Sequence, residues 1–138
     1  LALQITVKDQ KVEINKDINN GDNAMLFFFV DKESKIFGKS TSVKIAPNGK
    51  YRFRDRQFNQ DVSGFSISCK KIDGGCVYTV QLKPETLGLL AFEKGLGIGF
   101  AMNVNDFDNG NKKSSVHFGQ NYSESYHAKT KFNLLYLD

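Results

Sequence analysis

The sequence predicts an all-β domain in which two antiparallel sheets pack as a sandwich of the immunoglobulin or jelly-roll type. Three observations support this prediction. About nine short segments alternate apolar and polar residues with the period of two that is typical of half-buried strands. The chain has 12 Phe and 5 Tyr but only 2 Met and no Trp, and aromatic rings pack well on a pleated surface. No segment of helical length has a helical period, so two packed sheets are the natural way to bury many one-sided strands.

The predicted strands follow one another with turn signals between them. Residues 24–30 are apolar on both faces, which indicates a central strand that is covered on both sides. Pro47-Asn48-Gly49 predicts a hairpin turn. The only helix signal starts at Pro84 and is stopped by Gly88 after one turn. The nine predicted strands are residues 1–7, 24–30, 41–46, 51–54, 65–69, 76–82, 97–104, 115–118 and 132–137.

The length of 138 residues corresponds to a single domain that spans residues 1–138. The chain begins directly in a predicted strand, without Met and without a signal peptide. This indicates a processed protein, or a module cut from a longer one. No apolar run reaches the length of a membrane span, so insertion into a bilayer is not expected. We expect a monomeric module.

The net charge is +4, and the nearest approach to a basic cluster is Arg52, Arg54 and Arg56, which strand alternation places on one face. A nucleic-acid groove usually combines such a stripe with aromatic residues. Tyr51 and Phe53, however, alternate to the opposite face. Because a charge of this size ordinarily serves solubility, we expect a solvated strand face and no nucleic-acid partner.

The sequence contains no recognisable catalytic constellation. Its 2 histidines are His117 and His127, and no Gly-x-Ser-x-Gly elbow accompanies them. Gly95, Gly97 and Gly99 are spaced as in a nucleotide-binding loop, but they lead into a strand. The helix N-terminus that binds phosphate in such loops is therefore missing. We predict a protein that is not an enzyme and that uses no organic cofactor.

The strongest metal-binding signal lies between residues 103 and 110, which read Asn-Val-Asn-Asp-Phe-Asp-Asn-Gly. Oxygen ligands at alternate positions followed by glycine are typical of calcium loops. We predict that Asp106 and Asp108 hold a structural calcium ion. A helix-loop-helix site is excluded, because its twelfth position would be His117 and no helices flank the loop. The alternative is a polar turn whose side chains hydrogen-bond to their own backbone.

Cys69 and Cys76 flank the turn signal Asp73-Gly74-Gly75 and can therefore face each other across a hairpin. Their spacing fits neither a zinc site nor a redox Cys-x-x-Cys pair. In a secreted protein, the oxidising environment favours a disulfide between them. The register of the hairpin decides whether the strict geometry of a disulfide is met, so two free thiols are the alternative.

Three sequence blocks, in their order and spacing, resemble family 9 carbohydrate-binding modules and the related DOMON-type sandwiches. Residues 3–9 are similar to an opening strand that ends in V-x-D, and residues 21–31 are similar to the strand D-S-V-E-L-F-I-D. The third block, residues 78–106, contains segments similar to Y-x-x-E-I-x-I-P and I-G-F-x-x-x-V-N-D. The chain has Met25 and Gln81 where the family has acidic residues. It also has no Trp, whereas family members hold sugars between Trp side chains.

The resemblance implies a non-catalytic module that binds a polysaccharide or oligosaccharide. It also implies that the module is part of a larger secreted, extracellular protein active in polysaccharide degradation. The family places an aromatic clamp in the loop that here contains Tyr122 and Tyr126, and we expect these rings to stack against a sugar. Arg54, Asn19 and Asp22 are expected to contact its hydroxyl groups.

Two alternative functions belong to other classes. A haem-binding DOMON-type domain would hold iron through Met and His side chains. Met102, however, alternates onto the same face as Ile98 and Phe100, which predicts a position in the core. The second alternative is a structural or adhesive sandwich without a small ligand. The colour of the purified protein distinguishes the haem hypothesis, and a glycan screen separates carbohydrate binding from the structural role.

Overall fold

The computed structural model describes residues 1–9, 11–30, 41–53, 64–87, 89–118 and 133–136, with the backbone alone at residues 29, 30, 41 and 133–136. Its strands are β1 (Ala2–Lys8), β2 (Asn23–Val30), β3 (Thr41–Ile45), β4 (Tyr51–Phe53), β5 (Phe65–Ile72), β6 (Gly75–Leu82), β7 (Gly97–Asp108), β8 (Asn111–Phe118) and β9 (Asn133–Tyr136). The single turn of 3-10 helix at Pro84–Leu87 is where the sequence predicted one helical turn.

The strands form two antiparallel sheets, which confirms the predicted all-β sandwich. The small sheet has the order β1-β6-β5, and the large sheet has the order β4-β3-β2-β7-β8. Strand β9 pairs with the first four residues of β7, beside the stretch of β7 that pairs with β8. No helix among the described residues is long and apolar enough to cross a membrane.

The core lies between the inner faces of the two sheets, where alternate residues of each strand meet. Phe28 on β2 is fully buried, and its ring centroid lies 5.5 Å from that of Phe100 on β7. On the outer face of β2, Phe27 is only 6% exposed, so this strand is buried on both faces as its sequence predicted. The core cluster contains Ile5, Ala24, Leu26, Phe28, Val43, Ile45, Phe53, Cys76, Tyr78, Val80, Leu82, Leu87, Leu89, Ile98 and Phe100.

Strand β7 runs for 12 residues, longer than the sequence predicted, because its ladder with β8 continues past a β-bulge. The bulge lies between Asp106 and Phe107, where the pairing with β8 shifts by one residue. Bulges of this kind free backbone groups from the ladder and redirect side chains. This end of β7 contributes to the first candidate site described below.

The β5–β6 hairpin contains both cysteines as free thiols, so the predicted disulfide is not formed. The register explains this result, because Cys69 pairs with Tyr78 and Cys76 pairs with Lys71. The two cysteines are therefore diagonal neighbours rather than directly opposite. Burial, with a further contribution from Cys76, raises the pKa of the Cys69 thiol to about 11, which keeps it protonated and unreactive at neutral pH.

Candidate functional site

Three carboxylates from three separate segments meet at one end of the sandwich. Asp9 follows β1, Asp22 directly precedes β2, and Asp106 lies near the end of β7. One ligand oxygen from each carboxylate lies within 4.8 Å of the other two. Since β1 belongs to the small sheet and β2 and β7 to the large one, this acidic cluster joins the two sheets. Asp9 and Asp106 also line a cleft of about 300 Å³ between β1 and the β7–β8 pair.

Asp22 is the buried member of the acidic cluster, with 7% of its surface exposed. Its Oδ1 accepts a hydrogen bond of 2.7 Å from the backbone N–H of Phe107. This N–H group lies at the bulge in β7. The other oxygen, Oδ2, accepts a hydrogen bond of 2.5 Å from the backbone N–H of Glu13. These bonds fix the carboxylate in place, since each of its oxygens has a backbone donor.

Burial raises the pKa of Asp22 from its ordinary 3.8 to about 6, the two backbone hydrogen bonds oppose this shift, and the nearby charge of Asp9 adds to it. Three carboxylates held this close repel one another unless a proton or a cation lies among them. Carboxylate oxygens are also the ligands that calcium prefers in proteins. The acidic cluster therefore has the donor set and the concentrated negative charge of a site for a hard cation.

Asp108, which the sequence paired with Asp106, has other partners. Its Oδ1 lies 3.1 Å from Lys11 Nζ, and its Oδ2 forms an ion pair with Lys113. Hydrogen bonds from Lys113 and Lys11 lower the pKa of Asp108. Two cations thus already compensate this carboxylate.

The partners of Asp106 are instead Asp9 and Asp22. Alternation alone did not select Asp9. The register explains the place of Asp22, because Asn23 pairs with Asn105 and so brings Asp22 beside Asp106.

We expect the calcium-free protein to lose stability as the pH rises from about 5 to 7. The folded state holds a proton on Asp22 with a pKa of about 6, above the ordinary 3.8. The stabilisation this gives is therefore complete below about pH 4 and is lost as the pH rises through about 6. Urea unfolding in the presence of a chelator should show a loss of about 1–3 kcal/mol. The Asp22→Asn protein is the control and should show a much flatter profile. A wild-type profile that rises over this range would contradict the prediction.

A second group of side chains lies on the outer face of the large sheet, in one row across five strands. The register pairs Arg52 of β4 with Lys44 of β3, Lys44 with Met25 of β2, Met25 with Asn103 of β7, and Asn103 with His117 of β8. We call these five residues the polar row. The neighbours of Asn103 along β7, Met102 and Val104, pack against the core, so alternation places Asn103 on the outer face.

Hydrogen bonds order the β7–β8 end of the polar row. His117 Nδ1 donates to Asn103 Oδ1 over 2.7 Å, because an amide oxygen accepts but does not donate. In the neutral ring, Nε2 then accepts a 3.0 Å hydrogen bond from the Ser115 hydroxyl. Asn103 is 4% exposed, so its amide is held firmly. The bond from His117 occupies its Oδ1 acceptor.

At the other end of the row, Lys44 is half-buried and donates a 2.7 Å hydrogen bond from Nζ to Asn19 Oδ1. Asn19 donates in turn to Asp17 Oδ1 from both its backbone N–H and its amide, over 2.9 Å in each case. Burial lowers the pKa of Lys44, Asp17 opposes this shift, and the positive charges of Arg52 and Lys112 add to it. This end of the row therefore concentrates positive charge.

The structure places the predicted ligand residues in different parts of the molecule. Asn19 is bonded to the polar row, whereas Asp22 belongs to the acidic cluster. Tyr122, Tyr126 and Arg54 lie outside the described residues. Sequence reasoning did not select Lys44, Asn103 or His117 for contact with a sugar. The signal that identifies them is the pairing of β3, β2, β7 and β8, which alternation within single strands does not contain.

Met102, the residue considered for haem, packs against the core as its alternation predicted. It lies on the inner face of β7, whereas His117 bonds to Asn103 on the outer face. These two side chains are therefore on opposite sides of the sheet and do not share a ligand site.

No protein-family model matches the sequence, and no curated protein is similar to it. Among solved structures, the chain is similar to a family 9 carbohydrate-binding module from Caldicellulosiruptor kristjanssonii in complex with cellotriose, with a TM-score of 0.75 and 14% identity over 98% of this chain and 67% of that one. The same kind of module in complex with glucose gives a TM-score of 0.77 and 15% identity over 99% and 70%. This chain therefore has the fold of family 9 carbohydrate-binding modules, as the resemblance of its sequence blocks predicted.

Proposed function

We propose that this chain is a non-catalytic carbohydrate-binding module of a larger secreted protein that acts on polysaccharides. The observation that carries this proposal is the fold, which is shared over almost the whole chain with modules in complex with cellotriose and glucose. A common fold does not by itself establish a common ligand. The proposal therefore needs a surface on this chain that fits a sugar.

The polar row has the chemistry of such a surface. A pyranose ring presents hydroxyl groups at its edge and C–H groups on its faces. Lys44 supplies hydrogen-bond donors for the hydroxyl oxygens, and the half-buried Met25, its partner in the register, is an apolar, adaptable contact for C–H groups. The pairing of β2 and β3 keeps these two side chains on one face at fixed spacing, which favours a ligand that lies across the strands.

Aromatic stacking is the second requirement, since burying the C–H face of a sugar offsets the desolvation of its hydroxyl groups. The chain has no Trp, so the platform falls to Tyr or Phe. We propose that Tyr126, with Tyr122, supplies it, and that Arg54 and Asn19 add polar contacts. The hydrogen bond between Asn19 and Lys44 places Asn19 beside the polar row, which supports its role in this proposal.

A glycan array followed by calorimetry with the best ligand tests the function. Tyr126→Ala is expected to weaken binding by about 1–3 kcal/mol, the usual scale for loss of an aromatic anchor, with the melting temperature nearly unchanged. Ser68→Ala, an exposed position on β5 of the small sheet, is the control and should bind as the parent does. Unchanged affinity of Tyr126→Ala would rule out this platform. A parent chain that binds no glycan would overturn the module proposal and favour the structural or adhesive role.

We also propose that the acidic cluster of Asp9, Asp22 and Asp106 holds a structural calcium ion. Of the two calcium ligands predicted from the sequence, this proposal keeps Asp106. Asp9 and Asp22, whose carboxylates lie close to that of Asp106, take the place of Asp108. Calcium would relieve the repulsion among the carboxylates and fasten the end of β1 to β7, across the two sheets. The cluster is at the end of the sandwich and the polar row is on the outer face, so the ion would stabilise the fold without contacting the sugar.

A further inference from the structure

The small sheet is narrower than the sheet it packs against. It has three strands, whereas the large sheet has six. At one side of the sandwich β5 packs against β4, where the ring centroid of Phe65 lies 4.9 Å from that of Phe53. At the other side, β1 and the β7–β8 pair line the cleft of about 300 Å³. Within the described residues, the small sheet ends at β1 and leaves β8 without a facing strand.

The inner face of β8 is exposed beside this cleft. Val116 pairs with Val104 of β7, and Phe118 pairs in the same way with the next core residue, Met102. Directly paired residues point to the same face of a sheet, so Val116 and Phe118 point towards the small sheet. Yet Val116 is 69% exposed and Phe118 is 47% exposed. The facing sheet ordinarily covers such side chains in a sandwich, and none of the described residues does so here.

The edge of β1 beside the cleft offers main-chain hydrogen-bonding groups. The N–H of Asp9 donates to the carbonyl of Gly74 in the β5–β6 turn, and the main-chain groups of successive strand residues point to opposite sides. The N–H and C=O groups of Thr6 and Lys8 therefore point away from β6. Both residues line the cleft, although alternation places their side chains on the outer face of the small sheet. Within the described part of the chain, β6 is the one strand that pairs with β1.

These features together fit an extended peptide strand. A strand beside β1 would exchange hydrogen bonds with Thr6 and Lys8. Its alternate side chains would enter the cleft, whose walls include Ile5, Val7 and Val104. The same strand would face β8 and cover its exposed apolar side chains. Addition of a strand to an exposed sheet edge is a common mode of peptide recognition, in which the main chain gives affinity and alternate side chains give specificity.

Charge at one end of the cleft indicates the direction of the added strand. The carboxylates of Asp9 and Asp106 belong to the lining of the cleft. Among the described residues, the ion pairs of lysine are made with Asp108 and not with these two. A basic side chain on the inner face of the added strand would therefore meet two carboxylates. Because β1 ends at this side of the cleft, an antiparallel strand would bring its N-terminal end here.

We infer that the edge of β1 binds an extended peptide segment of a partner chain, antiparallel to β1. The segment has apolar residues at alternate positions and a basic residue near its N-terminal end. It extends the small sheet from three strands to four. The polar row lies on the outer face of the large sheet, so this interaction is separate from the proposed carbohydrate binding and does not depend on it.

An acetylated synthetic peptide that reads Lys-Thr-Val-Thr-Val-Thr-Val tests the inference, with amide hydrogen exchange followed by NMR at neutral pH. In the free protein, the amides of Thr6 and Lys8 should exchange quickly, whereas those of Ile5 and Val7, which point towards β6, should exchange slowly. Bound peptide should slow the exchange of Thr6 and Lys8 by about tenfold or more. A peptide with N-methylated Thr residues should not bind, because it lacks the main-chain donors that face β1.

Substitutions test the walls of the cleft and its charge. Val116→Thr keeps the shape of an exposed side chain and should weaken peptide binding about fivefold, as for loss of one apolar contact. Ile72→Thr, at an exposed position on the far edge of the small sheet, is the matched control and should bind as the parent does. Glu in place of the peptide's Lys should weaken binding on the order of tenfold, because it would face Asp9 and Asp106.

Several outcomes would overturn the proposal. Slow exchange of Thr6 and Lys8 in the free protein would show that this edge is already paired. Equal binding of the N-methylated peptide would exclude strand addition, and failure of the unmodified peptide to bind would contradict the site. Self-association of the protein that the peptide abolishes would assign the edge to a second copy of this chain. If Val116→Thr does not fold, as its melting curve would show, the two modified peptides carry the test.

Discussion

Replacing Gly75 with alanine is expected to destabilise the domain by about 4 kcal/mol or more, because the substitution combines backbone strain with a steric clash. Gly75 has a φ of 153°, and a β-carbon placed there would lie 2.0 Å from the carbonyl oxygen of Val7. That oxygen is backbone, so relief requires β1 to move away from β6. The ladder that would have to open runs from Ala2 to Lys8 along β1.

Gly74 provides a matched control in the same turn. Its φ is 66°, but a β-carbon there meets nothing within 4 Å. Gly74→Ala should therefore cost only the strain of a left-handed residue, about 1–2 kcal/mol. Urea unfolding of both variants measures the difference directly. Equal destabilisation of the two would show that the contact with Val7 is unimportant and that backbone strain alone decides the outcome.

Saturating calcium is expected to raise the melting temperature by roughly 5–10 °C relative to the protein in chelator. A ligand at about 100 times its dissociation constant stabilises the folded state by about 2.7 kcal/mol, and a domain of this size gains about 3 °C per kcal/mol. The rise should be larger at pH 7 than at pH 5. Burial favours the protonated form of Asp22 up to a pKa of about 6, and a proton on this carboxylate competes with the ion.

Asparagine substitutions separate the acidic cluster from its neighbour. Asp9→Asn and Asp106→Asn should each remove most of the calcium effect. Asp108→Asn should retain it, because that carboxylate is paired with Lys11 and Lys113. Loss of the calcium effect in Asp108→Asn but not in Asp9→Asn would restore the pair Asp106 and Asp108 that the sequence alone suggested. An unchanged melting temperature of the wild-type protein in calcium would contradict the calcium proposal. The cluster would then hold a proton rather than a metal ion.

The sequence predicts the strands well because alternation is a local property. In β7, Ile98 and Phe100 are buried in the core while Asn103 faces outwards, as a period of two requires. Even the two-sided burial of β2 follows from its run of apolar residues. The end of β7 was harder to predict, because the bulge after Asp106 depends on the pairing with β8.

The sites depend on contacts between residues far apart in the chain, and alternation contains no information about these. Asp9 and Asp106 are almost 100 positions apart in the sequence, and they approach only because β1 and β7 lie in facing sheets. In the same way, Arg52 and His117 fall in one row only once four strand pairings are fixed. The register likewise decides the state of Cys69 and Cys76, which the spacing around the turn left open.

Strand β7 contributes to both candidate sites, with Asn103 in the polar row and Asp106 in the acidic cluster. Side chains along a strand alternate between faces, so a shift of one position sends each of them to the opposite face. A single-codon insertion or deletion before Asn103 within this strand would therefore disturb both sites in one step. During evolution β7 should accept substitutions far more readily than changes in length. Variation in length among descendants of this gene should instead accumulate in the connections between strands.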